Sequence, residues 1–156
     1  MAITYTEDKC TGGTSSGTVG TSGHDHTYAF DNNASTYWNT DASGAFPHYL
    51  QYDFGAGVAW KISRVTIKNY LAKGIINFSI MGSNNDTNWT TLYTGTATDT
   101  TDVQTFTFTN KTKYRYCKFN ITSNVTGTNT VAYEVEMMAG IYPPVGGLGI
   151  GNPYIF

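Results

Sequence analysis

Charge is what this chain has least of: Asp, Glu, Lys and Arg make up 13% of its 156 residues, against a usual share of roughly 25%. With nine basic and eleven acidic side chains and a net charge of -2, it offers no cationic stripe to a nucleic acid or an anionic membrane. Two cysteines cannot make a disulfide scaffold, and a domain of this length buries roughly 68 to 70% of its unfolded surface without one. No apolar run approaches the roughly 18 to 20 residues of a membrane span. The opening MAITYTEDKC has no basic segment followed by an apolar one, so no secretion peptide is legible. No stretch keeps a helical hydrophobic period, and neither a glycine-framed serine nucleophile nor a phosphate loop occurs.

Thr, Ser, Asn, Gly and Tyr are abundant instead, the make-up of an all-β protein with a neutral polar surface. Residues 49–54 alternate Leu50, Tyr52 and Phe54 against Gln51 and Asp53, then break at Gly55 and Gly57. Val65 and Ile67 are expected to face inward from 62–70, Ile76, Phe78 and Ile80 from 75–81, and Phe106 and Phe108 from 103–108. In YRYCKFNI the inward set is Cys117, Phe119 and Ile121. Cys117 therefore reads as a core thiol, with a Cys10 to Cys117 bridge as the alternative. Further strands are expected at 90–93, 114–121 and 131–138, and GSNNDTNW at 82–89 is a loop. About seven or eight short strands at this spacing predict a single-domain antiparallel β-sandwich or jelly roll.

The densest chemistry lies in AFDNNASTYW, residues 29–38, where Asp31, Asn33 and Thr36 offer a carboxylate, an amide and a hydroxyl. Calcium takes about six to eight such oxygens, main-chain carbonyls included. The spacing is not that of an EF-hand, and Asp, Asn and Ser also gather in ordinary turns. Both readings stand on the loop alone.

The order of the pieces AFDNNASTYW, PHYLQYDFG, ISRVTIKNY, INFSIMGSNNDTNWTTLY, KYRYCKFNI and AYEVEM resembles the discoidin domain, also called the coagulation-factor type C domain, with family 32 carbohydrate-binding modules among its bacterial relatives. The resemblance runs from about residue 27 to 140. It implies a discoidin-like jelly roll with a structural calcium ion held by the carboxylates of Asp31 and Glu134, the hydroxyl of Thr36, and carbonyls of Tyr28, Asn33 and Tyr133. Asn32 stands where the family usually has Gly, so that turn must tolerate Asn in a left-handed conformation. The resemblance also implies that Trp38 and Trp89 pack the core and that a glycan is the partner, taken by loops at one end. The ligand candidates there are His24, His26, Asn39, Phe46, His48, Tyr70, Lys73, Asn124 and Asn129; each residue type also serves as a cross-strand partner or turn former.

An enzyme is not expected. His24, Asp25 and His26 could begin a zinc or general-base site, but no third ligand follows. The chain is expected to divide into an N-terminal arm and first strand region (1–26), the sandwich (27–140) and an uncharged tail (141–156). Residues 140–156, GIYPPVGGLGIGNPYIF, would leave an apolar tail exposed unless it docks to a partner or a second copy. A leaderless glycan-binding module with such a tail is expected to work extracellularly, on a virus or phage particle surface. The alternative is a capsid, tail or fibre subunit that uses the sandwich only as a building block.

Overall fold

The computed structural model describes residues 2–41 and 45–144. Its strands are β1 (Thr4–Asp8), β2 (Thr14–Gly17), β3 (Trp38–Asn39), β4 (His48–Asp53), β5 (Ile62–Asn69), β6 (Ile75–Ser83), β7 (Thr90–Thr96), β8 (Gln104–Thr107), β9 (Tyr116–Asn124) and β10 (Val131–Ile141). One sheet runs β1-β10-β5-β8, with β3 also pairing β10, and the other runs β2-β4-β9-β6-β7. Every pairing is antiparallel. The long β10 pairs at its start with β3 and at its end with β1, so a single strand ties the first loop region to the N-terminus. The one helical segment among the described residues is a single 3-10 turn at His26–Phe30, whose first N–H groups are capped by Asp25.

Period-two alternation decides most of the core. Leu50, Tyr52 and Phe54 are buried, as are Val65 and Ile67, and Cys117, Phe119 and Ile121. Phe78 anchors the centre, with its ring against those of Phe106 and Phe119. The expected inward position of Ile76 is corrected by a bulge. Register shifts between Ile75 and Phe78 put Ile75 in the core and leave Ile76 half-exposed, because one extra residue flips the faces of a strand. Trp38 is fully buried as expected. Trp89 is not in the core: it lies half-buried on the outside of β9, with Lys118 Nζ 3.7 Å from its ring centroid. Cys10 and Cys117 are both free and buried. Burial pushes the Cys117 thiol up to about 12 and Cys10 well above its ordinary value, so neither is a ready thiolate.

The segments outside the resemblance are largely built in. β1 and β2 add an edge to each sheet, and β10 continues through Gly140 and Ile141. Tyr142 is pinned by its hydroxyl, which accepts from Asn110 N (2.8 Å) and donates to Asn110 O (2.7 Å). The docking expected of the tail falls on residues 145–156, outside the described residues. No helix among the described residues is long and apolar enough to cross a membrane.

Candidate functional site

Asp31 ends the 3-10 turn, and the loop after it closes on its own side chains. Asp31 Oδ1 accepts from Asn33 N (2.9 Å), and Thr36 Oγ1 donates to Asp31 Oδ2 (2.7 Å) and to Asn33 O (2.8 Å). Asn32, at the apex, takes φ 56, the left-handed region in which Asn is tolerated better than most residues. Glu134 of β10 reaches this loop across the chain: its Oε1 accepts from the same Asn33 N, at 2.8 Å. One N–H is thus shared between two carboxylates. Burial first, and then the Asp31 carboxylate beside it, pushes Glu134 up to about 8. Among the described residues neither acid makes an ion pair. The strand is irregular at this point: the register shifts between Ala132 and Glu134, which leaves Tyr133 as the extra residue. A bulge takes a residue out of the ladder and re-aims it.

This donor set suits calcium. Two carboxylates, a hydroxyl and nearby carbonyls are hard oxygens, and two carboxylates brought together repel unless a proton or a cation relieves them. A cage of three or more His, Cys, Asp or Glu does not occur among the described residues, so a metal here would depend on carbonyl and hydroxyl oxygens as well.

The clasp borders a group of rings. His24 stacks on Tyr37 (centroids 4.1 Å apart, planes at 10°), Tyr37 meets Tyr70 at 5.5 Å, and Tyr70 stacks on Tyr133 at 5.4 Å. A cleft of about 230 Å³ lies between Gly23, His24, Tyr28, Ser35, Thr36 and Tyr37. Beside it, at the same end of the sandwich, three loops are laced together by main-chain bonds: Thr40 N to Thr130 O, Val131 N to Lys73 O, and Val125 N to Gly74 O.

Most of the ligand candidates fall in this lacing, in unequal roles. His48 is fully buried; its Nδ1 lies 2.8 Å from Thr130 Oγ1 and its ring stacks on Phe46 at 4.3 Å. Asn124 is buried, and its amide donates to Asn129 O (2.7 Å) and Thr130 Oγ1 (3.2 Å). Asn129, also buried, donates from Nδ2 to Asn39 Oδ1 at 2.7 Å. These three brace the loops rather than face solvent. Phe46, Asn39 and Tyr70 are half-buried and Lys73 is exposed, so these four can meet a ligand. His26 lies apart, with Nδ1 3.0 Å from Ser15 Oγ on β2. His24 Nδ1 turns instead to Tyr37 O, and Asp25 is spent on Thr27. The geometry therefore does not assemble the zinc or general-base trio that their sequence proximity allowed.

Two contributors escaped the sequence. Thr130 joins His48 to Asn124, and nothing in its spacing marks it; Tyr37 carries the ring between His24 and Tyr70, and its place inside AFDNNASTYW was the available signal.

A family model described as the NedA-like, galactose-binding domain, of the F5/F8 type C group, matches residues 28–119. Among solved structures, the chain is similar to the family 32 carbohydrate-binding module of NanJ from C. perfringens in complex with galactose, at 24% identity and TM-score 0.75, covering 86% of this chain and 99% of that one. It is also similar to chitosan-binding module 1 of a chitosanase/glucanase from Paenibacillus sp. IK-5, a methionine-substituted variant, at 26% identity and TM-score 0.72, covering 85% and 98%. A third is a family 32 module from Clostridium perfringens in complex with GalNAc-β-1,3-galactose, at 18% identity and TM-score 0.72, covering 85% and 99%. No curated protein matches.

Proposed function

From the premise that the chain belongs to the NedA-like, galactose-binding domain family of F5/F8 type C folds, we propose that it is a non-catalytic carbohydrate-binding module whose laced loops take a neutral sugar. The observation that carries this reading is the placing of ring faces and amides at one end on a rigid, buried frame. Phe46 is backed by fully buried His48, and Asn39 is held by Asn129. Sugar recognition needs a flat apolar face together with a few fixed donors and acceptors. Phe46 supplies the face, Asn39 and Lys73 supply polar contacts, and Tyr70 closes the side toward the clasp. His48, Asn124, Asn129 and Thr130 hold these groups in place.

The clasp is the second element of the proposal. Asp31, Glu134, Thr36 and the carbonyls of Tyr28, Asn33 and Tyr133 would hold a calcium ion, which supplies positive charge between the facing carboxylates and ties the loop to β10. Its role is architectural, since the ion fixes the ring-bearing residues beside it and takes no part in a reaction.

Calorimetric titration with galactose, N-acetylgalactosamine and chitosan oligomers tests the sugar site. Binding of at least one is expected, with loss on Phe46→Ala and on Asn39→Ala in variants that remain folded by circular dichroism. Failure to bind any member of a broad glycan array would overturn the reading and favour the sandwich as a building block of a larger assembly.

A further inference from the structure

The end of the sandwich opposite those loops carries a second pair of clefts. A groove of about 560 Å³ lies between Ile3, Lys61, Lys111, Tyr142, Pro143 and Pro144. An adjoining cleft of about 300 Å³ shares Lys61 and Tyr142 and adds Trp60 and Lys113. No carboxylate of the described residues lines either one. Lys9 sits beside them, its Nζ 4.6 Å from the Trp60 ring centroid. Four of the chain's nine Lys and Arg side chains thus gather at one end of a protein whose net charge is -2.

The wall is fixed from behind. Besides its two bonds to Asn110, the Tyr142 hydroxyl lies 2.8 Å from Ser63 Oγ, and both Ser63 and Asn110 are buried. Asn110 in turn donates from Nδ2 to Ile62 O at 3.0 Å. A ring locked by its own hydroxyl keeps its face at little entropic cost to a ligand. Main-chain groups behind the wall are paired: Gly140 N donates to Lys61 O, Phe108 N to Ser63 O, and Trp60 and Tyr114 exchange both bonds. The groove presents ammonium groups and ring faces to a ligand.

We infer that this groove is a second binding site, for an anionic oligosaccharide whose pyranose rings carry carboxylates. The rings would lie against Tyr142 and Trp60, as apolar sugar faces lie on aromatic walls, and the carboxylates would meet Lys61, Lys111 and Lys113. A groove of this size falls within the range of roughly 300 to 1,000 Å³ that binds small molecules. The inference goes beyond the neutral-sugar site and uses none of its residues.

The test is calorimetric titration of the full chain with tetragalacturonate and with galactose, at low and physiological salt. Tetragalacturonate is expected to bind the native chain and to weaken as salt rises. The double variant Lys61→Glu with Lys111→Glu is expected to lose about tenfold or more of that affinity, at an unchanged melting temperature, while galactose binding is untouched. Phe46→Ala is expected to do the reverse. The inference is overturned if tetragalacturonate does not bind, if the double variant binds it equally, or if Phe46→Ala abolishes it. It is equally overturned if an acidic peptide of the same charge binds more tightly, or if binding appears only after residues 145–156 are removed.

Discussion

Asp53 and Glu134 both reach across to a distant segment, yet they meet opposite company there. Asp53 receives two charge-assisted bonds from Arg115, at 2.7 Å each, and accepts from Gly55 N as well. The Arg115 guanidinium holds its carboxyl below the usual range. Glu134 meets Asp31 and shares one N–H with it; burial and that neighbour push it up to about 8. The first carboxylate is satisfied by the chain itself. The second makes no ion pair among the described residues and lies beside another acid, the arrangement that the proposed calcium ion would relieve.

Removing the proposed ion is the largest way to break the comparison. A metal that binds only the folded state, at about a hundredfold excess over its dissociation constant, contributes about 2.7 kcal/mol, or about 5 to 10 °C in Tm for a domain of this size. Thermal unfolding with calcium and with a chelator should differ by that order, and Asp31→Ala or Glu134→Ala should erase the difference. Equal melting temperatures in both buffers would reduce the clasp to an ordinary turn.

Protonation sharpens the same contrast. With calcium chelated, the folded Glu134 lies near 8 against an ordinary 4.5, so the folded state holds a proton that the unfolded state has released. That contribution is fully present below about 4.5 and is lost as pH rises toward 8. The calcium-free protein should therefore lose stability from pH 5 to pH 8, a loss that Glu134→Gln removes; saturating calcium should suppress it. A flat stability profile in the chelated protein would contradict this assignment.

The two regions also differ in how much of them the sequence displays. Alternation exposes Leu50, Tyr52 and Phe54, or Cys117, Phe119 and Ile121, because a strand's faces repeat every two residues. It misplaces Ile76, since a bulge inserts one residue without any mark in composition. It also says nothing of Trp89, whose face is covered by a lysine on a different strand. Within the site, residue type marks His48, Asn124 and Asn129 as polar, but only the packed loops show that they are buried braces. The Asp31 and Glu134 pairing spans more than a hundred positions. No local spacing could propose it, and it was legible only through the order of motifs along the whole chain.

The smallest expected effect comes from the satisfied acid. Asp53 and Arg115 are both partly exposed, and exposed ion pairs contribute little because water and salt screen them. Asp53→Asn keeps an oxygen for Gly55 N while removing the charge, so it should lower Tm by much less than chelation does. The folded carboxyl is lowered, so its contribution is present above the ordinary carboxylate value and disappears as pH falls through the lowered one. The difference between native chain and variant should thus be greatest near neutral pH and close in acid, opposite in sign to the Glu134 effect. Added salt should shrink it further. A variant that lost as much stability as the chelated protein would show that the Arg115 pair, rather than the clasp, is the chief electrostatic tie between the segments.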